Sequence, residues 1–326
     1  MAKLSISQSK SKIYLKPFHQ FGRLSGTVDT LISHPEISRI HAIIEWVNNT
    51  WYLRDISKNG LWLNDKKVNA NTLYALSLHD KIRFNETSNI EFCVENLDEP
   101  CDILVLQQPN QNETALDDDV VFLAPYNFLP TEDAPEIVFY FDTERKTWFC
   151  EKIDTMTTMR IDDGECIQFS NSIWQLIKGA EKSALETIES TTNSTQSVVF
   201  IFNISQDEEE TELKVTYDNR EVDLSIRTHH YLTALLARYR SRLKNEASDE
   251  YFTGWISIQA LSRDLGLSES HINIQIHRAR KQIAEAFCEL GLIVPTLIER
   301  KKGYARFASD NFKIFKGNKL ETVSTT

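Results

Sequence analysis

The sequence lacks any long apolar segment, and its longest apolar stretches, such as residues 198–202, are far too short to span a bilayer. The residues that follow Met1 contain no apolar signal core. The five cysteines are odd in number and show no paired ligand spacing, which argues against a disulfide framework and against a zinc site. The sequence also contains no phosphate-cradling glycine loop and no nucleophile–base set. These absences predict a cytoplasmic protein that is not an enzyme, does not bind a membrane and uses no metal or cofactor.

Charge is distributed unevenly along a chain whose net charge is −11. Residues 226–320 contain 16 Lys and Arg against 9 Asp and Glu, a local charge of +7, which leaves 20 against 38, or −18, for the remainder. A basic C-terminal block beside an acidic remainder suggests that the C-terminal end binds a polyanion. With 326 residues, 41% of them hydrophobic and 25% charged, the chain is long enough for two or three soluble domains.

Four short polar signatures interrupt β-type hydrophobic alternation in the first third of the chain. They are Gly22-Arg23, Ser38-Arg39-Ile40-His41-Ala42, Asp55-Ile56-Ser57-Lys58-Asn59-Gly60 and Asn64-Asp65. Each signature lies where a strand pattern breaks, so we expect these residues on loops of a sheet scaffold, where binding groups are usually found.

The order and spacing of these signatures resemble the forkhead-associated (FHA) domain, a β-sandwich that binds phosphothreonine in partner proteins. The resemblance implies an FHA domain over residues 1–97. A phosphothreonine carries close to two negative charges and three acceptor oxygens, so its receptor needs fixed guanidinium, hydroxyl or amide donors. By this resemblance, Arg23 is the charged donor, Ser38 the hydroxyl donor, and Asn59 the residue that holds the backbone of the bound peptide.

Two further residues, Arg39 and Lys58, complete the predicted phosphopeptide site. Lys58 stands where many members of the family have threonine, which removes one hydroxyl donor and adds a cation. Gly22, His41 and Gly60 are predicted to be structural: Gly60 allows a positive φ, and His41 is a buried residue that braces the loops. The alternative is an inert sandwich, in which the domain keeps its fold and Arg23 and Ser38 are ordinary surface residues.

The segment 98–180 is also strand-like and echoes the latter half of the first domain. The strand that contains Trp148 is similar to the strand that contains Trp51, but the segment has none of the four signatures. We predict a second, degenerate FHA-like β-sandwich, with a generic β module as the alternative. Residues 181–197 are rich in Ser and Thr and predict a flexible linker. The threonines of this linker are either unmodified or phosphorylated and bound by the chain's own FHA domain.

Residues 198–318 change from strands to helices and end in a basic hairpin. Gly266 and Leu267 predict a tight turn between two helices, and Ser268 is a candidate N-cap for the second. That helix has an inward apolar stripe, formed by Ile272, Ile276, Ala279 and Ile283, and an opposite face of polar and basic residues. A helix-turn-helix needs one face to anchor the helix and the other to reach base edges and phosphates.

This succession of strands, three helices and a hairpin resembles the winged helix-turn-helix of OmpR-type response regulators over about residues 198–307. The resemblance implies that double-stranded DNA is a partner. The DNA-binding residues that it implies lie on the second helix and the hairpin: Asn273, His277, Arg278, Arg280, Lys281, Arg300, Lys301, Lys302 and Arg306. The alternative is a solvated helix face in a module that contacts protein. Residues 319–326 are predicted to be a tail.

The sequence therefore predicts a multidomain protein with an all-β FHA-like sandwich, a second degenerate β-sandwich module and a C-terminal α+β winged helix. We expect a bacterial transcription regulator that binds phosphothreonine segments at one end and DNA at the other. Docking of the phosphothreonine segment would change oligomerisation, with a homodimer compatible with the sequence, or would free the winged helix. The alternative from another class is a phospho-dependent adaptor protein.

Overall fold

The computed structural model describes residues 1–6, 12–86, 91–108, 120–142, 145–179, 198–217, 220–244, 254–292 and 294–324. The linker predicted at residues 181–197 lies outside the described residues. The chain divides into two compact units, one formed by Met1–Leu123 with Ile161–Glu189 and the other by Ala124–Arg160 with Ser190–Thr326. It is a β-rich protein of several sheets with few helices.

The N-terminal strands form two mainly antiparallel sheets within the first unit. These strands are β1 (Lys3–Ile6), β2 (Lys12–Tyr14), β3 (Phe18–Gly22), β4 (Thr30–Leu31), β5 (Ala42–Val47), β6 (Thr50–Asp55), β7 (Trp62–Leu63), β8 (Lys66–Lys67), β9 (Leu73–Ala75), β10 (Lys81–Arg83) and β11 (Glu91–Asn96). One sheet has the order β2-β1-β11-β10-β7-β8 and the other β4-β3-β5-β6-β9.

A single aromatic and aliphatic core lies in this N-terminal sandwich. Burial alternates along β6, where Trp51, Leu53 and Asp55 point inward, as expected for a strand with one face on a core. Phe21 and Phe84 lie 5.3 Å apart between ring centroids and join the same core. The core fixes the sheets, and the loops between their strands carry the predicted phosphopeptide residues.

The segment predicted as one β-sandwich module forms two sheets that belong to different units. Its strands are β12 (Ile103–Gln108), β13 (Val120–Phe122), β14 (Tyr126–Leu129), β15 (Ile137–Asp142), β16 (Thr147–Lys152), β17 (Thr158–Ile161), β18 (Cys166–Phe169) and β19 (Ser172–Ile177). The sheet β13-β12-β19-β18 lies in the first unit, and the strands of the sheet β14-β15-β16-β17 lie almost entirely in the second. Strand-like patterns in the sequence identify such strands but not their partners.

The second unit combines sheets and helices. Its remaining elements are β20 (Val198–Ile204), β21 (Thr211–Tyr217), β22 (Arg220–Ile226), α1 (Thr228–Lys244), β23 (Ile256–Ser257), α2 (Ile258–Leu265), α3 (Glu269–Glu289), β24 (Ile298–Lys301), β25 (Tyr304–Phe307), β26 (Phe312–Lys316) and β27 (Lys319–Ser324). The larger sheet has the order β22-β21-β20-β26-β27, and a three-stranded sheet has the order β23-β25-β24.

The prediction of a tail at the C-terminus is wrong for residues 319–324. They form β27, which pairs antiparallel with β26, and β26 in turn pairs in parallel with β20. Leu320 and Val323 of β27 are exposed. Because β27 is an edge strand that pairs with β26 through its backbone, it shows no apolar alternation that would have identified it in the sequence.

The predicted turn and cap between α2 and α3 are present. Gly266 is the left-handed C-cap of α2, and the Ser268 hydroxyl accepts a hydrogen bond from the backbone N–H of His271 at 3.2 Å. The four predicted stripe residues of α3 are all buried in the core that α3 shares with α1 and α2. None of the helices in the described part of the chain has the length and apolar character needed to cross a bilayer.

Candidate functional site

Hydrogen bonds hold together the loops of the N-terminal sandwich that carry the predicted phosphopeptide residues. The backbone N–H of Arg23 donates to the carbonyl oxygen of Ser38 at 3.1 Å. The backbone N–H of Leu24 donates to the carbonyl oxygen of Arg39 at 3.2 Å. These two bonds bring the predicted guanidinium and hydroxyl donors onto adjacent stretches of backbone.

Gly22 permits this close approach of the two backbones. A Cβ atom at position 22 would lie 2.2 Å from the carbonyl oxygen of Arg39 and 2.9 Å from the Cα of Ile40. Both atoms belong to the backbone, so no side-chain rotation could relieve the overlap. Glycine is therefore required here for space rather than for an unusual φ.

His41 joins two of the loops from the inside, in agreement with its interpretation as a buried brace. Its Nδ1 accepts a hydrogen bond from the backbone N–H of Ser38 at 3.0 Å, and its Nε2 lies 3.1 Å from the carbonyl oxygen of Gly60. Because a backbone N–H can only donate, the imidazole proton is on Nε2 and is donated to Gly60. Burial lowers the pKa of His41, which favours this neutral form.

The third loop, after β6, contributes to the site through its backbone and one amide. The backbone N–H of Lys58 donates to the Ser38 hydroxyl at 3.1 Å, which leaves the hydroxyl proton of Ser38 without an acceptor among the described residues. The Asn59 side-chain amide donates to the carbonyl oxygen of Glu36 at 2.6 Å. Gly60, at φ +101°, closes the turn and donates from its N–H to the Ser57 hydroxyl.

Three cationic side chains of these loops face solvent. Arg23, Arg39 and Lys58 are all exposed, and within the described ranges none of them has an ion-pair or hydrogen-bond partner for its charged group. A guanidinium with unused donors and a hydroxyl with a free proton, carried on adjacent backbone stretches, are the donor types that a doubly charged anion with several oxygens needs.

Sequence reasoning missed two residues that support Asn59. Glu36 supplies the carbonyl oxygen that orients Asn59, and its carboxylate accepts a hydrogen bond from the side chain of Asn85 at 2.7 Å. Asn85 is buried although it follows β10 in a polar stretch. No local pattern signals this contact, because the two residues are 49 positions apart.

The expected outward face of α3 is not exposed, which corrects the sequence-based prediction for two of its residues. Asn273 and His277 are both buried. Arg280 is half-buried and donates from Nη2 to the carbonyl oxygen of Ile298 at 2.6 Å. The physical reason is that the sheet β14–β17 packs on this side of the helix, where the sequence pattern suggested solvent.

Carboxylates of this sheet pair with the basic residues of α3 and of β24. The Glu151 carboxylate lies 2.5 Å from Arg300 Nη1 and 3.1 Å from His277 Nε2. Glu132 pairs with Lys281 through its carboxylate and accepts from Arg278 through its carbonyl oxygen at 2.9 Å.

The environment at this contact shifts the pKa values of the groups involved. Burial opposes the charge of Glu151, but the hydrogen bond from His277 and the charge of Arg300 outweigh it and lower the pKa of Glu151 to about 2. Burial lowers the pKa of His277. Burial also raises the pKa of Tyr140 to about 12. The ring centroid of Tyr140 lies 5.7 Å from that of His277. The shifts at Glu151 and Tyr140 both move the pKa further from neutral pH, so the carboxylate stays charged and the phenol stays neutral over a wider pH range.

The tip of the β24–β25 hairpin keeps its basic residues exposed. Lys302 is exposed, and Lys301 Nζ lies 4.2 Å from the ring centroid of Trp255. Arg306 is half-buried, lies 4.8 Å from the same ring and pairs with Glu299 at 2.6 Å. Of the predicted hairpin residues, the two lysines are exposed, and Arg300 and Arg306 form ion pairs within the chain.

A family model of the FHA domain matches residues 19–85. Similar solved structures include Mycobacterium tuberculosis EmbR in complex with a low affinity phosphopeptide, at 24% identity over 29% of this chain and 24% of EmbR, with a TM-score of 0.26. The N-terminal FHA domain of S. cerevisiae Rad53p in complex with a phosphothreonine peptide is 21% identical over 29% of this chain and 91% of that domain, with a TM-score of 0.27.

The FHA domain of an Arabidopsis thaliana hypothetical protein is 24% identical over 30% of this chain and 87% of that chain, with a TM-score of 0.27. A search of the curated proteins found no match. The family match contains all five predicted phosphopeptide residues and the three predicted structural residues. Residues 19–85 are an FHA domain.

Proposed function

We propose that the FHA domain binds phosphothreonine-containing protein segments and that the protein acts by binding rather than by catalysis. The observation that carries this proposal is the 3.1 Å backbone hydrogen bond from Arg23 to Ser38, which joins the backbone stretches that carry the predicted guanidinium and hydroxyl donors. In this arrangement Arg23 takes the phosphate charge, Ser38 donates its hydroxyl proton to a phosphate oxygen, and Asn59 holds the peptide backbone.

The environment of Asn59 supports this role. Its amide nitrogen is held by the carbonyl oxygen of Glu36, so the side chain is oriented before a peptide arrives. An oriented side chain loses less conformational entropy on binding than a mobile one. The phosphothreonine belongs to a partner protein or to the chain's own Ser/Thr-rich linker, which lies outside the described residues.

Wild-type protein should bind threonine-phosphorylated peptides at least about 100-fold more tightly than the same peptides without phosphate, because two charge-assisted hydrogen bonds are lost with the phosphate. The measurement is isothermal titration against phosphothreonine peptides selected from a degenerate library, with the phosphoserine and unphosphorylated forms as controls. Equal affinity for all three forms would contradict the proposal and favour the inert sandwich.

We further propose that the second unit is a winged helix-turn-helix that binds duplex DNA, which would make the protein a transcription regulator. The order of elements supports this proposal: strands β20–β22, helices α1–α3 joined by the turn at Gly266, and the β24–β25 hairpin with exposed Lys301 and Lys302. In such a module α3 enters the major groove and the hairpin contacts phosphates.

One observation favours the alternative, an adaptor whose C-terminal unit contacts protein. The side of α3 proposed to meet DNA is in contact with a protein surface within this chain, through Glu132 and Glu151. The two functions differ in their response to salt, because each contact to a DNA phosphate releases condensed counterions and adds to a steep salt slope, whereas a protein partner carries no such counterion atmosphere.

Binding of a random-sequence duplex should weaken steeply with salt, and the variant K301A/K302A should lower the slope of log K against log salt by about 2, one for each lost phosphate contact. Fluorescence anisotropy of a labelled duplex from about 50 to 200 mM salt measures this slope. The matched control is K313A/K319A, which removes two exposed lysines from β26 and β27 and should leave the slope unchanged. The same loss of slope in both variants would indicate that only net charge matters and not the hairpin.

A further inference from the structure

The side of α3 that faces away from its own core is packed against the strands β14–β16. We call the described residues 126–142 and 145–152 the cover. Ile274 of α3 packs on an apolar cluster of the cover formed by Phe128, Val138 and Ile153 at its border. The ring centroids of Tyr140 and His277 lie 5.7 Å apart, and His277 is fully buried. The contact is therefore packed like a protein interior rather than a loose surface association.

The charges of the cover match those of the surface that it buries. Glu151, with 4% of its side chain exposed, lies 2.5 Å from Arg300. Glu132 pairs with Lys281 and binds Arg278 through its carbonyl oxygen at 2.9 Å. A carboxylate presents to a guanidinium or an ammonium the same kind of anionic oxygen that a DNA phosphate presents. The donors that a phosphate would use on α3 and β24 are thus already occupied.

The same contact leaves two buried polar atoms without a hydrogen-bond partner in the described part of the chain. They are Asn273 Nδ2 and His277 Nδ1, on the covered side of α3. Unpartnered buried polar atoms raise the free energy of a contact, and water or a base edge would give them partners. This clustering distinguishes the covered face from the apolar stripe of α3 and points to a contact that can open.

We propose that the cover is an autoinhibitory element that occupies the nucleic-acid-binding side of α3 with its own carboxylates and must move before DNA can bind. This inference rests on the proposed DNA-binding function. Glu132 and Glu151 take the places of phosphates, and the cover excludes the duplex from α3 while the hairpin lysines stay exposed. The affinity of the closed protein for DNA is reduced by the fraction of molecules in which the cover has opened.

The double variant E132Q/E151Q of the full-length protein removes both anions with little change in shape. It should bind a labelled random-sequence duplex about tenfold or more tightly than wild type, because loss of the ion pairs raises the open fraction. The control E209Q/E210Q removes the same charge from exposed positions between β20 and β21 and should change the affinity less than twofold. A second opening variant, V138D, places a charge in the apolar part of the cover.

Modification of His277 by diethyl pyrocarbonate, measured by mass spectrometry, reports opening independently of DNA. His277 should be inert in wild type and in the control and reactive in both opening variants. If His277 stays inert in both, the cover is a fixed part of the fold and the inference is overturned. If His277 reacts and DNA affinity equals that of wild type, DNA binding stands but the cover does not inhibit it. If His277 reacts in the opening variants and neither wild type nor those variants bind DNA, the proposed DNA-binding function is overturned, and the inference with it.

Discussion

Replacing Arg23 with alanine is expected to weaken the binding of a phosphothreonine peptide by about 100-fold, because the phosphate loses its charge-assisted hydrogen bonds to a guanidinium. The Arg23 side chain has no partner among the described residues, so its removal should leave the fold intact. Affinity for the unphosphorylated peptide should not change. Isothermal titration of both peptides against wild type and variant gives the ratio of wild-type to variant affinity for each peptide. The prediction requires a ratio of about 100 for the phosphorylated peptide and no change for the unphosphorylated one.

Two variants separate geometry from charge at this position. Arg23→Lys keeps the charge and loses the planar fork, and it should recover only part of the affinity. Lys12→Ala deletes an exposed cation of β2, which lies outside the binding loops. It should leave phosphopeptide affinity within about twofold, because an isolated surface charge contributes little. If Lys12→Ala weakened binding as much as Arg23→Ala, the phosphate would be sensing net charge rather than a pocket.

Much of this site could be predicted from sequence because its determinants are local. The signatures around Arg23, Ser38 and Asn59 each fall within a few residues, and the strands between them alternate clearly. What could not be predicted is how the loops are held. The bond from Asn59 to Glu36 joins residues 23 positions apart, and that from Asn85 to Glu36 joins residues 49 apart, so neither leaves a pattern along the chain.

In the C-terminal unit, sequence reasoning identified the buried apolar side of α3 but not the surroundings of its polar side. The spacing of Ile272, Ile276, Ala279 and Ile283 correctly predicted the inner face of α3, since apolar periodicity follows from burial in a core. The polar residues on the other side were taken to face solvent, but His277 and its neighbours are buried under a sheet that supplies charged partners. Polar periodicity cannot distinguish water from a polar protein surface, because both satisfy the same hydrogen-bonding groups.

Gly22→Ala should destabilise the FHA domain by roughly 3 kcal/mol and abolish phosphopeptide binding, even though the variant adds one methyl group. The new Cβ would lie 2.2 Å from the Arg39 carbonyl oxygen, so the two backbone stretches must separate. Separation breaks the bonds from Arg23 to Ser38 and from Leu24 to Arg39, which align the two donors for phosphate. Amide hydrogen exchange on β3 and β5 of the full-length protein gives the free energy of opening, and titration gives the affinity.

Gly26→Ala is the matched control for this substitution. It makes the same change from glycine to alanine in the loop that follows β3. Gly26 has a φ of +76°, but an added Cβ there would have no atom within 4 Å. Its cost should therefore be only the left-handed backbone strain of about 1 kcal/mol, with phosphopeptide affinity retained. Equal loss of affinity in both variants would mean that the flexibility of the loop, and not the close packing of its backbone against residue 39, creates the phosphate site.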